Sequence, residues 1–546
     1  MALVAKYEGP FEGMDVAMPS LLISPKAATY INNWMVARNY IQSRPFFGAF
    51  PGLLPIPVIP DGLSIIGIAI ALTPTYDVVS YNLYAGTGAN LYYYSSGAWY
   101  LIGTWNARTG GSAFYKWDWL NTGGYFNAPF TNTQTGMAIV NGTQEIYWVP
   151  SGPTQNSLTG LTGGKIGARF IMEVGQILMV ANVYEQGTFN FQQRVRWCNT
   201  QGVINQWDEN ANVGAGFADL LDASDVITGT LSLGSVGYIM RANGITQVTP
   251  TGNGTQPFEF NHMWASQMGI GQVFANTRAQ YGGLAFIIAE DNVYSFSVTT
   301  FQTVGDKVID QIIADIYAAI PEFLPYDVPL YACISPKYRN DYRYLCYKIF
   351  IGTNTRATYN VVWTYDITNR AWQRETLAAS YALTGQPSFN DYINTSNLGG
   401  GGDFGFLLVP TGTTISTYDV SKLDAEMGGT YAFKLEEQEE LGYVSVSWIG
   451  VTYVNIGIGT ISVTLSGPSY YETQTLTLGD PTKTKAYYNG GTVPAAVNDQ
   501  IVHVAFFSFT PLTDATFQVI LGRAASSGPV KIIRVSVFGE IKEVSR

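Results

Sequence analysis

The chain has 546 residues, of which 47% are hydrophobic and only 13% charged; that balance excludes general disorder and leaves Asn, Thr, Ser, Gln and Tyr to supply the polar surface. The net charge of −11 argues against tight nucleic-acid binding, which needs clustered Lys and Arg to displace counterions, but not against a wall that DNA slides past. The three cysteines, Cys198, Cys333 and Cys346, are too few for a disulfide framework and fit folding in a reducing cytoplasm, with a Cys333–Cys346 hairpin bridge as the minor alternative.

The start, Met1 to Glu8, lacks a basic segment followed by an apolar one, so no secretory signal is expected. Residues 1–75 are Pro-rich and read as an extended N-terminal arm with the first strands. The arm carries Ser24-Pro25, Asn32-Asn33-Trp34 and Arg44-Pro45. The longest apolar run, 63–72, falls far short of the roughly 20 residues a membrane span needs. No membrane span is therefore expected.

From 76 to 425 the pattern is short apolar or alternating runs closed by Gly, Asn or Ser pairs, the signature of antiparallel strands. Hairpin units can be laid side by side at 83–102, 136–148, from Gln176, and at 237–248, 283–296, 361–372 and 404–419. Asn141-Gly142, Asn243-Gly244 and Asp291-Asn292 suit two-residue turns whose central positions need positive φ. Units returning about every 40–60 residues predict propeller blades; a sandwich plus barrel is the competing fold. One segment breaks the pattern: Val308, Ile309, Ile312, Ile313, Ile316 and Ile320 fall at helical spacing, predicting one inserted helix over 306–322. After the acidic run Glu436, Glu437, Glu439 and Glu440, strands over 430–546 predict a C-terminal β-sandwich. The expected fold is all-β: a β-propeller with an extended N-terminal arm, one inserted helix and a C-terminal β-sandwich.

Few residues suggest chemistry. Histidine is limited to His262 and His503, in different expected domains, which leaves little for a triad or a zinc site. Asp219, Asp222 and Asp225 form an acidic ladder without the Gly and distal Glu of a calcium loop, and read as a solvated turn. The four neighbouring Glu residues of the linker do not make a glycosidase pair, which needs two carboxyls held apart across a pocket. Lys337, Arg339 and Arg343 interleave with Tyr338, Tyr342 and Tyr344 in the style of single-strand binders, and also read as a plain hairpin. Gly399 to Gly402 lacks the Lys-Ser/Thr of a phosphate loop. No catalytic, metal or cofactor residues are therefore expected, and the chain is not expected to be an enzyme.

The stretch from Arg194 through Trp197, Trp207, Asp222, Asp225 and Arg241 to Val248 resembles one blade of the tail-nozzle β-propeller of short-tailed bacteriophages. The N-terminal arm, the Tyr365-Asp366 to Trp372 unit and the C-terminal sandwich extend that likeness over most of the chain. The resemblance implies a structural virion protein, a tail nozzle or hub assembled in the host cytoplasm. It implies a homo-hexameric ring below portal and adaptor, contacts to fibres or spikes, and a conduit through which genome DNA passes without tight binding. The residues lining that DNA channel are not identifiable from the sequence. The alternative is a carbohydrate- or receptor-binding propeller of a tail fibre or baseplate. In that reading Tyr92, Tyr93, Tyr94, Trp117 and Trp119 would be exposed for stacking on sugars; a glycosidase is a weaker third.

Overall fold

The computed structural model describes residues 4–8, 13–16, 27–37, 40–43, 45–49, 56–74, 79–95, 97–104, 117–122, 136–142, 145–150, 156–157, 166–185, 189–199, 204–210, 214–221, 225–263, 268–281, 283–319, 330–336, 345–352, 359–377, 384, 388–394, 403–423, 429–435, 443–455, 460–467, 470–477, 484–488, 501–514, 517–524 and 530–542. Among them the strands group into consecutive four-stranded antiparallel units, the blades of a propeller. Blade 1 is Ile65–Pro74, Val79–Thr87, Asn90–Ser95 and Ala98–Thr104. Blade 2 is Asp118–Thr122, Gly136–Val140, Tyr147–Pro150 and Asn156–Ser157. Blade 3 is Ile166–Val174, Ile177–Glu185, Phe189–Trp197 and Gly216–Asp219; blade 4 is Ile227–Leu233, Val236–Arg241, Gly244–Pro250 and Phe258–His262. Blade 5 is Ala279–Tyr281, Leu284–Ile288, Val293–Phe296 and Phe301–Thr303; blade 6 is Leu330–Pro336, Leu345–Gly352, Tyr359–Asp366 and Ala371–Thr376. Blade 7 is Ser388–Asn394, Asp403–Thr411 and Thr414–Leu423, with Pro45–Ala49 as its fourth strand.

Every hairpin unit expected from the apolar pattern falls inside one of these blades. The closing strand does not come from the same stretch of chain. Pro45–Ala49 pairs antiparallel with Thr414–Leu423, Phe47 opposite Tyr418 and Ala49 opposite Ser416. It occupies an edge that would otherwise present unpaired N–H and C=O groups. Blade 7 also meets blade 1 through main-chain and side-chain bonds. The Ile65 N–H donates to the Gly412 carbonyl at 2.9 Å, and the Thr384 hydroxyl to the Ile65 carbonyl at 2.9 Å. Among the described residues, first strands of neighbouring blades contact one another at every junction except that of blades 4 and 5, so they line the middle of the ring.

Apolar clusters fill the gaps between blades. One joins Leu231, Tyr238 and Ile245 of blade 4 to Ala285, Ile287 and Phe296 of blade 5. Another joins Ala69, Tyr84 and Leu91 of blade 1 to Met137, Ile139 and Val149 of blade 2, with Trp117 wedged between. Gly67 and Gly86 make that wedge possible: a Cβ on Gly86 would stand 2.3 Å from the Trp117 indole nitrogen.

The turns differ from the expected chemistry. In blade 4 Arg241 pairs with Gly244, so the two-residue loop is Ala242-Asn243, and neither residue has a positive φ. The Asn243-Gly244 expectation was one residue out of register. Among the described residues the turn with two positive φ values is Gly175-Gln176, at 57° and 67°, between Val174 and Ile177.

The inserted helix spans Ile309–Ala319 and buries Ile312 and Ile316. It is pinned to blade 6 by Asp315, which accepts from the Trp363 indole at 2.8 Å and from the Arg374 guanidinium at 2.8 and 3.2 Å.

The sandwich has two facing sheets. One contains Tyr443–Asn455, Ile501–Asp514, Val530–Lys542 and Thr484–Tyr488, extended by Val4–Glu8, Trp34–Ala37 and Tyr40–Ser43. The other contains Gly429–Leu435, Phe517–Arg523, Thr460–Gly467 and Tyr470–Thr477, extended by Ala28–Asn32. The extended N-terminal segment is thus built into sheets. It also ties the sandwich to blade 6: the Asn33 side chain accepts from the Thr376 N–H at 2.8 Å, and Gln373 accepts from the Val36 N–H at 3.1 Å.

Close approach at Gly271 gives a direct test of this packing. A Cβ there would meet the Arg241 carbonyl oxygen at 2.2 Å and the Gly244 nitrogen at 2.4 Å, whereas exposed Gly254 faces open space. We expect Gly271→Ala to cost about 1–3 kcal/mol by overpacking against rigid main chain and Gly254→Ala to be near neutral. Chemical denaturation of the two variants checks this; equal midpoints would contradict the blade 4–blade 5 contact.

Candidate functional site

A cavity of about 410 Å³ lies against the first strands of blades 2, 3, 4 and 5. Asp118, Glu173, Ser232, Asn276, Arg278 and Gln280 give it polar walls, and Leu120, Met172 and Leu231 apolar ones.

The strands are locked together by side chains that satisfy the main chain of the next blade. Asp118, at the start of blade 2, accepts the Ile171 N–H of blade 3 at 2.9 Å and the Trp119 N–H at 3.2 Å. From blade 4, Thr230 donates to the Ile171 carbonyl at 3.2 Å, and Ser232 donates to the Glu173 carbonyl. Thr228 donates to the Gln272 carbonyl at 2.7 Å, ahead of blade 5. Inner strand edges buried in this way need such partners, because an unpaired main-chain group there is costly.

Arg278 crosses the middle of the ring. It precedes the first strand of blade 5, yet its Nη2 lies 2.5 Å from Asp118 Oδ2 of blade 2, three blades away. Its guanidinium stands 5.2 Å from the centre of the Phe170 ring. Burial raises the Asp118 carboxyl above the usual carboxylate range, against the lowering pull of Arg278 and of the Ile171 and Trp119 N–H groups. Burial likewise raises Glu173. Among the described residues no hydrogen bond or ion pair reaches the Glu173 carboxylate.

Sequence reasoning singled out other residues, and they sit elsewhere. Tyr92 is buried at 4% exposure; Tyr93 and Tyr94 pack on Tyr84 and Trp99 at 5.5 and 5.1 Å between ring centres. Trp117 is buried, and Trp119 stacks on it at 5.4 Å. These rings are therefore packing groups rather than an exposed sugar platform, although Trp119 reaches the cavity wall.

Of the acidic ladder, Asp219 is exposed but ion-paired, and Asp225 is buried rather than solvated. Asp219 holds Arg194 in two bonds of 2.7 and 2.8 Å, while Asp225, only 7% exposed, lies 3.6 Å from Arg241 and accepts the Asn243 N–H at 2.8 Å. Asp222 lies outside the described residues, as do 337–344, 399–402 and the four linker glutamates. Arg194 is clasped between the rings of Phe191 and Phe217, at 3.7 and 4.1 Å, and Arg196 is buried against Glu185 and Glu209. The stretch from Arg194 to Val248 is thus not one blade: it straddles the ion-paired end of blade 3 and the first three strands of blade 4.

His262 is exposed at the end of blade 4, and the His503 backbone pairs with Tyr453 in the sandwich, so the two do not meet. The three cysteines are free and buried; burial pushes Cys198 and Cys333 up to about 12. Cys333 pairs with Lys348 and Cys346 with Ser335, an offset of two residues. No cluster of three metal-ligating side chains occurs among the described residues. Among them no helix is long and apolar enough to cross a membrane.

No protein-family model and no curated protein matches the chain. It is similar to the extracellular domain of a one-component system of B. thetaiotaomicron, at 10% identity and a TM-score of 0.37, over 80% of this chain and 48% of that one. The chain therefore spans about half the length of that domain. It is similar to the WD40 domain of SCAP from fission yeast at 10% identity and a TM-score of 0.28, over 92% of this chain and 100% of that one. A third likeness is to TmCBM61, solved with β-1,4-galactotriose, at 8% identity and a TM-score of 0.15, over 28% of this chain and 82% of that one. Likenesses of this size leave function to be argued from the chain's own residues.

Two variants test the site's electrostatics. Arg278→Met leaves Asp118 buried without its cation, an arrangement that costs about 3–5 kcal/mol; adding Asp118→Asn should restore much of the loss. Equal instability of the single and double variants would mean that the pair does not bridge the ring. Glu173→Gln should act in the opposite direction. A carboxyl whose folded pKa is raised destabilises the fold above that pKa and is neutral below its unfolded value. Melting temperature should therefore rise for Glu173→Gln at pH 7 and stay unchanged near pH 3; a loss at pH 7 would contradict the burial of Glu173 without a cation.

Proposed function

We propose that the chain is a non-catalytic binding propeller that recognises a carbohydrate or receptor group in its central cavity. The cavity carries this reading: inner strands of four successive blades converge on it with acceptors, donors and apolar wall. Its volume lies within the roughly 300–1,000 Å³ of small-molecule sites. Two carboxyls share it, which is the raw material of a glycosidase. Asp118, however, is committed to Arg278 and to two main-chain N–H groups, which leaves it poorly placed to move a proton. Filling the space with Gln280→Trp should abolish binding of the purified chain to bacterial envelope polysaccharide while leaving its melting temperature unchanged. Binding that survives this substitution would place recognition elsewhere.

A second reading, the tail nozzle or hub of a short-tailed phage, is favoured by a different surface. On the outer face of the sandwich, Trp448 and Phe506 are 42% and 51% exposed, beside Phe538. A Cβ on Gly450 would lie 3.3 and 3.4 Å from the rings of Phe506 and Phe538, so the two rings border it closely. Exposed aromatic patches of this kind mark protein interfaces, and a surface with few charges suits life in an assembly. In this reading six copies form a ring with adaptor and fibres, and DNA passes between copies rather than through a propeller whose centre Arg278 crosses. Mass photometry should then find a closed-ring mass that Trp448→Ser/Phe506→Ser reduces to monomer; monomers alone at every concentration would count against it. The two readings are compatible in one chain.

A further inference from the structure

Resting on the binding reading above, we infer that the cavity takes a neutral saccharide, with Glu173 accepting from its hydroxyls and Arg278, Asn276 and Gln280 donating to its oxygens. The first reason is charge. Arg278 and Asp118 neutralise each other at 2.5 Å, so Glu173 leaves the cavity one negative charge. An acidic ligand would be repelled by that carboxylate, whereas a neutral ligand uses it as a hydrogen-bond acceptor.

The second reason is the inventory of hydrogen-bonding groups. Glu173 is acceptor-only, and the guanidinium has five donors, of which the Asp118 contact uses one. The amides of Asn276 and Gln280 offer both functions. Ser232 spends its proton on the Glu173 main-chain oxygen and keeps a hydroxyl oxygen that can accept. A ligand that both donates and accepts at closely spaced positions satisfies this set, and adjacent sugar hydroxyls do so. Met172, Leu231 and Leu120 supply apolar wall for the C–H faces of a sugar ring.

The third reason is the cost of Glu173 itself. A half-buried carboxylate without a cation among the described residues weakens the fold, and such groups persist where function needs them. Nothing in the packing of blade 3 calls for a carboxylate at that position, because Ser232 binds its main chain rather than its side chain.

The experiment is isothermal titration and saturation-transfer NMR on the full chain. The probes are neutral glucose, galactose and mannose oligosaccharides, N-acetylneuraminic acid and 1,4-diaminobutane. A neutral oligosaccharide should bind. Glu173→Gln should weaken it by about tenfold or more, the range for a hydrogen bond to a charged group, while circular dichroism shows the variant folded. Wild-type affinity should fall as pH drops through the raised pKa of Glu173, and this pH dependence should vanish in Glu173→Gln. Preferential binding of the acidic sugar or of the diamine would overturn the neutral-saccharide inference and leave a ligand-binding cavity standing. Silence from every probe, with envelope binding unaffected by Gln280→Trp, would remove both.

Discussion

The ring depends on one main-chain pairing. Pro45–Ala49 lies along Thr414–Leu423 as the fourth strand of blade 7, joining residues more than three hundred positions apart. Few local contacts can compensate the loop-closure entropy of such a pairing, so its stability comes from what it completes. It completes blade 7 as a four-stranded unit, and that blade seats against Ile65 of blade 1. The residues just before it, Ala28–Asn32 and Trp34–Ala37, are strands of the two sandwich sheets. The same short N-terminal length therefore fastens the propeller to itself and to the sandwich, through Asn33 and Gln373 on blade 6.

Closure shapes the cavity. Its walls are inner strands whose outward-facing main-chain groups are satisfied by side chains of the neighbouring blade: Asp118 on Ile171, Thr230 on Ile171, Ser232 on Glu173. Each bond fixes one blade relative to the next, and Arg278 fixes blade 5 relative to blade 2. A site held on rigid elements in this way needs little ordering when a ligand arrives, which favours affinity. The same crossing ties blade 5 to blade 2 beside the cavity.

Much of this was legible in the chain itself. Strand alternation placed all the hairpin units, because each blade buries both faces locally and its apolar period survives in the sequence. The helix was legible from Val308, Ile312 and Ile316 for the same reason. Turn chemistry was less so: Asn243-Gly244 looked like the hairpin centre, but the ladder register put Ala242-Asn243 there. Closure by Pro45–Ala49 left no local trace, since only the missing fourth strand of blade 7 calls for it. The site escaped altogether. Asp118, Glu173 and Arg278 are single residues on three blades, and only the ring brings them together. The segment Trp117-Asp118-Trp119 drew notice for its tryptophans, whereas the carboxylate between them is the group that reaches the next blade.

Amide hydrogen exchange on the intact chain tests the central role of closure most directly. If Pro45–Ala49 holds the ring, its amides and those of the paired strand Thr414–Leu423 should exchange together with the inner strands Ile166–Val174 and Ile227–Leu233, at the rate of global unfolding. Free exchange of 46–49 while the inner strands remain protected would contradict it, and would mean that the propeller stands closed without its N-terminal strand.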